Sequence, residues 1–193
     1  MGLRYGYLRT VLSSSTHRLR AMEHHDIELL WQWENASDDW WMGATNAPIS
    51  REAMSRFVNG QHDLFADGQL RFMLDHCFQD QWSTVGAVDL YDFVPRQRRA
   101  GVATHIDVAH RRQGHASSGI QLLCQYAKSH LGLRQLYAEI PAGHAPSLNA
   151  FLSAQFVETG RRKEWSMTPH GDWVDVLTLQ RLFGHSQSDN AKP

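Results

Sequence analysis

Apolar positions change their period several times along the chain, and each change marks an element. Residues 17–22, His-Arg-Leu-Arg-Ala-Met, alternate polar with apolar and predict a first strand. His24-His25-Asp26 then turns into a helix whose inward positions are Ile27, Leu30, Trp31 and Glu34. Asp38-Asp39-Trp40-Trp41-Met42-Gly43 is a loop of acidic and aromatic groups. Ser50 is placed to cap a second helix through Met54, Phe57 and Val58, which stops near Gly60. Residues 70–77 and 84–93 are strand-like runs separated by a polar turn at Gln79-Asp80-Gln81, and a third run, 98–108, follows a turn at Val94-Pro95-Arg96. Connections this short make antiparallel neighbours. A helix follows, and after it residues 136–140 form a strand at crossover distance, which places it parallel beside 98–108. Pro146 suits the first turn of another helix carrying Leu148, Phe151 and Leu152. Residues 156–159, 163–167 and 173–179 close the chain as strands. The fold class is α/β in the mixed α+β sense.

The stretch 105–120 organises the rest. Its first part is a strand ending in Ile106 and Val108. Its last part is a helix whose apolar stripe runs through Ala116, Ile120, Leu123, Cys124, Ala127 and Leu131. Between them, Arg111-Arg112-Gln113-Gly114-His115-Ala116 has few side chains suited to a core. It offers backbone N–H groups at a helix N-terminus, where four donors lack intrahelical partners and the dipole is positive. That arrangement binds phosphate or pyrophosphate. Gly114 permits close backbone approach or positive φ, and the two arginines add cationic donors. The plainer reading of the same residues is a βα turn with solvent-facing arginines.

Composition narrows the function. A chain of 193 residues, 42% hydrophobic and 20% charged, suits one domain with a single good core. A net charge of −1 excludes a nucleic-acid surface working by bulk electrostatics, and no apolar run reaches membrane-spanning length. The two cysteines are far apart, which favours a reduced, cytoplasmic setting over a disulfide framework. Residues 1–16 read as a flexible leader and a poor signal peptide, 17–184 as the domain, and 185–193 as a disordered polar tail. Twelve histidines raise the question of a metal, but none falls into His-Glu-x-x-His or a Cys/His cluster, so no metal is expected.

Arg111, Gly114 and Ala116 stand at the three fixed positions of the Arg/Gln-x-x-Gly-x-Gly/Ala loop, and here the chain resembles the Gcn5-related N-acetyltransferases (GNAT). Val85-Gly-Ala-Val-Asp-Leu and Arg98-Arg-Ala-Gly-Val resemble that family's third and fourth strands, closest to its spermidine and ribosomal-protein N-acetyltransferase branch. The resemblance covers roughly residues 19–183. It implies a central, mostly antiparallel sheet with helices on both faces and a parallel strand pair splayed beyond Val108 and Ile140. Acetyl-CoA would lie in that opening as acyl donor, with the backbone of Ile106, Asp107 and Val108 along its pantetheine arm. The N–H groups of Arg112, Gln113, Gly114, His115, Ala116 and Ser117 would take the pyrophosphate. Acetyl would then pass directly to a primary amine: a polyamine, another small amine or a protein N-terminus. A homodimer is compatible with this reading.

The chain also departs from the family. The asparagine and tyrosine often found on the last helix correspond to His144 and Phe151, while Ser147 matches and Gln155 replaces a glycine. His144 and Ser147 remain expected CoA contacts. The fourth-strand glutamate of spermidine acetyltransferases corresponds to Gly101. Either proton work falls to other groups or this member of the family is slow or specialised. An alkylammonium of pKa about 10.4 must lose a proton, each unit above working pH costing about 1.36 kcal/mol, whereas a thiolate of pKa about 8.5 leaves without help. Glu139 is the first choice as base and Tyr91 the second catalytic candidate, with Asp89 and His105 as substitutes. Glu139 could instead pair with Arg98 or Arg99. Asp38, Asp39, Trp40 and Trp41 are expected to receive a cationic acceptor by charge and cation–π contact, unless one tryptophan merely anchors the loop. Cys124, on the core stripe, reads as packing. The alternatives are a noncatalytic acyl-CoA-binding protein of the same fold and an unrelated nucleotide-binding α/β protein.

Overall fold

In the computed structural model, which describes residues 12–42 and 47–184 and only the backbone of 37–39, seven strands build one sheet. They are β1 (His17–Arg20), β2 (Leu70–Phe78), β3 (Gln81–Val94), β4 (Arg99–Ile106), β5 (Gln135–Pro141), β6 (Val157–Met167) and β7 (Trp173–Leu182). Their order across the sheet is β1-β2-β3-β4-β5-β7-β6. Every neighbouring pair is antiparallel except β4 and β5.

Period-two alternation gives the sheet two apolar faces. On one, Val88, Leu90, Ala100, Val102, Leu136, Ala138 and Ile140 are buried together with Ile120, Leu123 and Ala127 of α4 (His115–Ser129) and Ala150 and Phe151 of α5 (Ala145–Ser153). On the other, Met73 packs with Met22, with Leu30 of α1 (Ile27–Glu34), and with Met54 and Val58 of α2 (Arg51–Val58). Ser50 caps α2 by accepting from the Ala53 N–H at 3.1 Å. Gly119 sets how closely α4 lies on the sheet, since a Cβ there would stand 2.9 Å from Leu74 Cδ2 and 3.0 Å from Val88 Cγ1.

The expected element order holds, and the differences have local causes. The strand at 98–108 ends at Ile106, because the Asp107 carboxylate accepts from the Ala109 N–H at 2.9 Å and opens a 3-10 turn over Val108–His110. The strands expected at 156–159 and 163–167 are one strand, β6, interrupted by two register shifts against β7. A one-turn helix, α3 (Leu64–Asp67), has no apolar period to announce it and rests on Asp63 accepting from the Phe65 N–H at 2.9 Å. Residues 12–16, read as leader, lie against the sheet: the Leu12 carbonyl accepts from Leu19 at 2.7 Å and the Thr16 carbonyl from Cys77 at 2.8 Å. Residues 1–11 and the expected tail at 185–193 lie outside the described residues.

A buried charge network ties β1 to the turn before α1. Arg20 donates to both Asp26 oxygens at 2.6 and 2.8 Å, to Asp75 at 3.0 Å and to the Thr84 hydroxyl at 2.9 Å. Burial alone would raise the Asp26 carboxyl, but the Arg20 guanidinium and the Glu23 N–H outweigh it and hold it below its ordinary range. Asp26→Ala leaves a half-buried Arg20 with fewer partners and should cost about 1–3 kcal/mol in urea unfolding at pH 7. Because the folded carboxyl titrates below the unfolded one, its contribution is present above about pH 4 and is lost in stronger acid. The gap between wild type and variant should therefore close only there.

Candidate active site

The parallel pairing of β4 with β5 covers three register pairs, Arg99 with Gln135, Ala100 with Leu136 and Gly101 with Tyr137. Both strands then continue, β4 tied to β3 as far as Ile106 and β5 tied to β7 as far as Pro141. Each strand follows its antiparallel partner, so the sheet splits along this seam. The split opens after Gly101 and Tyr137, several residues earlier than the sequence places it.

The basic turn lies at the same end of β4. Arg111 Nε donates to the Ile106 carbonyl at 3.0 Å, which fixes the start of the turn. Arg112 (φ +64°) and Gly114 (φ +84°) bend the backbone through left-handed conformations, and α4 begins at His115. Residues 111–114 are exposed, and a Cβ on Gly114 would meet nothing within 4 Å, so open space lies over the positive end of the helix. Ala116 is half-buried, and the Ser117 hydroxyl lies 2.8 Å from that of Ser153 at the end of α5. The Asp107 N–H donates to the Val85 carbonyl at 3.0 Å and is thus committed to β3. His115 turns its side chain inward, only 4% exposed, while its backbone opens α4 beside Gly114. His144, at the cap of α5, and Ser147, in its first turn, lie beyond the end of β5, across the split.

Tyr91, Gly101 and Tyr137 form one row across β3, β4 and β5. A Cβ on Gly101 would stand 2.4 Å from the Tyr91 ring, so that ring fills the room a larger fourth-strand side chain would need. Tyr91 meets Tyr137 edge to face at 5.8 Å, and the Tyr137 hydroxyl donates to Asp92 at 2.7 Å. Burial, with the nearby charges of Glu139 and Asp92, pushes the Tyr91 phenol up to about 12. It remains protonated at neutral pH and is suited to donating a hydrogen bond. Glu139, on the same face as Tyr137, pairs with Arg162 of β6 and not with Arg98 or Arg99. Arg98 instead donates to the Gly132 carbonyl at 2.8 Å.

The other substitutes are placed less freely. Asp89 accepts from Arg71 at 2.7 and 3.1 Å, and Arg71 also holds Glu34 at 2.8 Å, so this acid belongs to an ion-pair network. His105 shares the face of Gly101 and lies with its ring 4.8 Å from that of Trp33, whose Nε1 donates to Asp107 at 2.8 Å. Trp40 anchors the turn Ser37–Met42 by donating to the Glu34 carbonyl at 2.9 Å. Trp41 is half-buried in the same turn, whereas the side chains of Asp38 and Asp39 lie outside the described set. Phe151 is 3% exposed and meets Phe156 edge to face at 5.0 Å, making it a core residue. Cys124 is buried with its thiol pushed up to about 11 by desolvation, which agrees with packing and not with nucleophilic attack. Sequence reasoning missed Tyr137 and Arg162. Tyr137 could have been found from its alternation with Glu139. Arg162 gives no such signal, since β7 lies between β6 and β5.

Residues 17–157 match the acetyltransferase (GNAT) domain model, and the chain belongs to the GNAT acetyltransferase family. Among solved structures it resembles a Vibrio cholerae spermidine N-acetyltransferase in complex with CoA and spermine. The TM-score is 0.76 at 22% identity, over 88% of this chain and 96% of that one. A dodecameric structure of a V. cholerae spermidine N-acetyltransferase matches with TM-score 0.71 at 22% identity, over 88% and 95% of the two chains. RimL, a ribosomal-protein alpha-N-acetyltransferase in complex with CoA, matches with TM-score 0.72 at 21% identity, over 88% and 96%. No curated protein matches the chain. Among the described residues, no helix is long and apolar enough to cross a membrane.

Two substitutions test this geometry. Gly114→Val should lower CoA affinity at least tenfold by calorimetry, because a side chain enters the open space over the turn and the positive φ costs roughly 1–2 kcal/mol. Phe151→Tyr should not add a general acid. It should lower stability by about 1–3 kcal/mol in thermal unfolding, the usual cost of burying an unpaired hydroxyl.

Proposed function

We propose that the protein transfers acetyl directly from acetyl-CoA to a primary amine, with the pyrophosphate at residues 112–117 and the thioester arm in the split between β4 and β5. The early end of the β4–β5 pairing carries this reading. It leaves two strand edges diverging where an extended arm can bond as a further strand would, next to a glycine turn that opens a long helix. Ile106 and Val108, exposed or half-buried at the mouth of the split, would flank the arm, and His144 and Ser147 would contact it from the other side.

The acceptor would approach on the face carrying Tyr91, Tyr137 and Glu139. The ammonium first gives up one proton, to Glu139 directly or through one water, which frees the nitrogen lone pair. The neutral nitrogen attacks the thioester carbonyl, the C–N bond forms, and as the C–S bond breaks the remaining excess N–H proton passes to the departing CoA sulfur or to solvent. The ion pair with Arg162 holds that carboxylate in place. Tyr91, protonated at neutral pH, would donate a hydrogen bond toward the developing oxyanion or the leaving sulfur. Asp38 and Asp39 would attract a cationic amine toward Trp40 and Trp41 at the entrance. The resemblance to spermidine and ribosomal-protein acetyltransferases supports an amine acceptor without choosing between polyamines, other small amines and protein N-termini.

Glu139→Gln should reduce kcat by about 10²–10⁴-fold with CoA affinity retained, as expected for loss of a positioned base. The measurement is steady-state acetylation across a panel of polyamines, small amines and peptides. Wild-type CoA binding without turnover on any of these would refute the catalytic reading, and undiminished kcat in the variant would remove Glu139 from it. Asp38→Asn with Asp39→Asn should raise the acceptor KM several-fold, each exposed charge contributing about 0.2–1 kcal/mol. That effect should shrink in added salt.

A further inference from the structure

Three histidines distant in sequence meet at the β1 edge of the sheet, beneath the start of α4. His17 of β1 and His76 of β2 are directly paired in the antiparallel register, and His115 opens α4 above them. Their ring centroids lie 4.8 Å (His17–His76), 5.2 Å (His17–His115) and 4.6 Å (His76–His115) apart. One nitrogen from each lies within 4.8 Å of the other two. His17 and His115 are 8% and 4% exposed, while His76 is half-exposed and opens the cluster to solvent.

We propose that His17, His76 and His115 form a site for a divalent transition-metal ion of the zinc class. A tetrahedral ion bound at about 2.0–2.1 Å holds its nitrogens about 3.3 Å apart. His17 Nε2 and His115 Nδ1 share a hydrogen bond at 2.9 Å, so they already stand near that spacing and an ion would take the place of the shared proton, while rotation of His76 brings in the third donor. The Thr16 hydroxyl lies 3.0 Å from His17 Nδ1, which fixes that ring with Nε2 toward the cluster, as an outer partner does at a metal centre. The donors are three neutral imidazoles with no carboxylate or thiolate among them. This set suits Zn²⁺, Co²⁺, Ni²⁺ or Cu²⁺ and not Mg²⁺ or Ca²⁺, which take oxygen. Three protein ligands leave a fourth position for water on the side of His76. His110, whose ring lies 6.2 Å from that of His115, is the nearest further imidazole. An ion here would clamp β1 and β2 to the first turn of α4, directly behind the glycine turn at 111–114.

The test uses the full, untagged chain after treatment with a chelator. Titration with ZnCl₂ should show one equivalent bound, and CoCl₂ should give the visible absorption of a low-coordinate Co²⁺ imidazole site. His76→Ala, at the half-exposed position, should lower affinity by more than the roughly 10–100-fold that loss of an outer partner costs, and should abolish the Co²⁺ spectrum. His17→Gln should do the same, and should it fail to fold, His76→Ala together with the wild-type stoichiometry still decides. The double variant His24→Ala, His25→Ala, at two exposed imidazoles, should bind as the wild type does. No stoichiometric ion in the wild type, or one that survives His76→Ala, overturns the proposal and leaves a packed histidine cluster.

Discussion

The short parallel contact between β4 and β5 is the constraint on which the site depends. Three paired residues join two antiparallel sheets, β1 to β4 on one side and β5 to β6 on the other. Sheet twist makes each strand follow its longer antiparallel partnership, so the seam opens once parallel pairing ends. Packing on the α4 and α5 face keeps the halves together at the base of the opening, where Ala100, Val102, Leu136 and Ala138 share one core. The gap is thus a consequence of topology.

What lines the gap follows from one small residue. At Gly101 the chain has no side chain on the face that carries Tyr137, and the Tyr91 ring lies over that position. The row Tyr91–Gly101–Tyr137 thereby replaces a carboxylate with two phenols, while the acid is carried on the neighbouring strand as Glu139. A half-buried tyrosine held near 12 cannot serve as base at neutral pH, so the proposed chemistry leans on Glu139 and its pairing with Arg162. Asp89, although on the same face, is committed to Arg71.

Local features were legible in the sequence, and long-range ones were not. The glycine turn at 111–117 could be read because its shape resides in its own backbone and in the helix it opens. The α2 cap at Ser50 and the α4 stripe were equally local. The position of the split was not legible, because it depends on how far β4 stays with β3 and β5 with β7. The partner of Glu139 was hidden for a related reason: Arg162 reaches it from β6, and that strand itself was read as two pieces because its bulges break the alternation. Phe151 could be matched to a family position, but only its contact with Phe156 gives it a role in packing. His17, His76 and His115 follow no spacing rule, since a cross-strand pair and a helix start bring them together.

The most direct test of the account is amide hydrogen exchange of the full chain with and without CoA, read residue by residue. The account predicts new protection on the free stretch of β4, residues 102–106, and in the turn and first helical residues at 112–117. The β6–β7 hairpin should be unchanged. Protection confined to other surfaces, or none at saturating CoA, would contradict the assignment of the split and the glycine turn as the acyl-donor site.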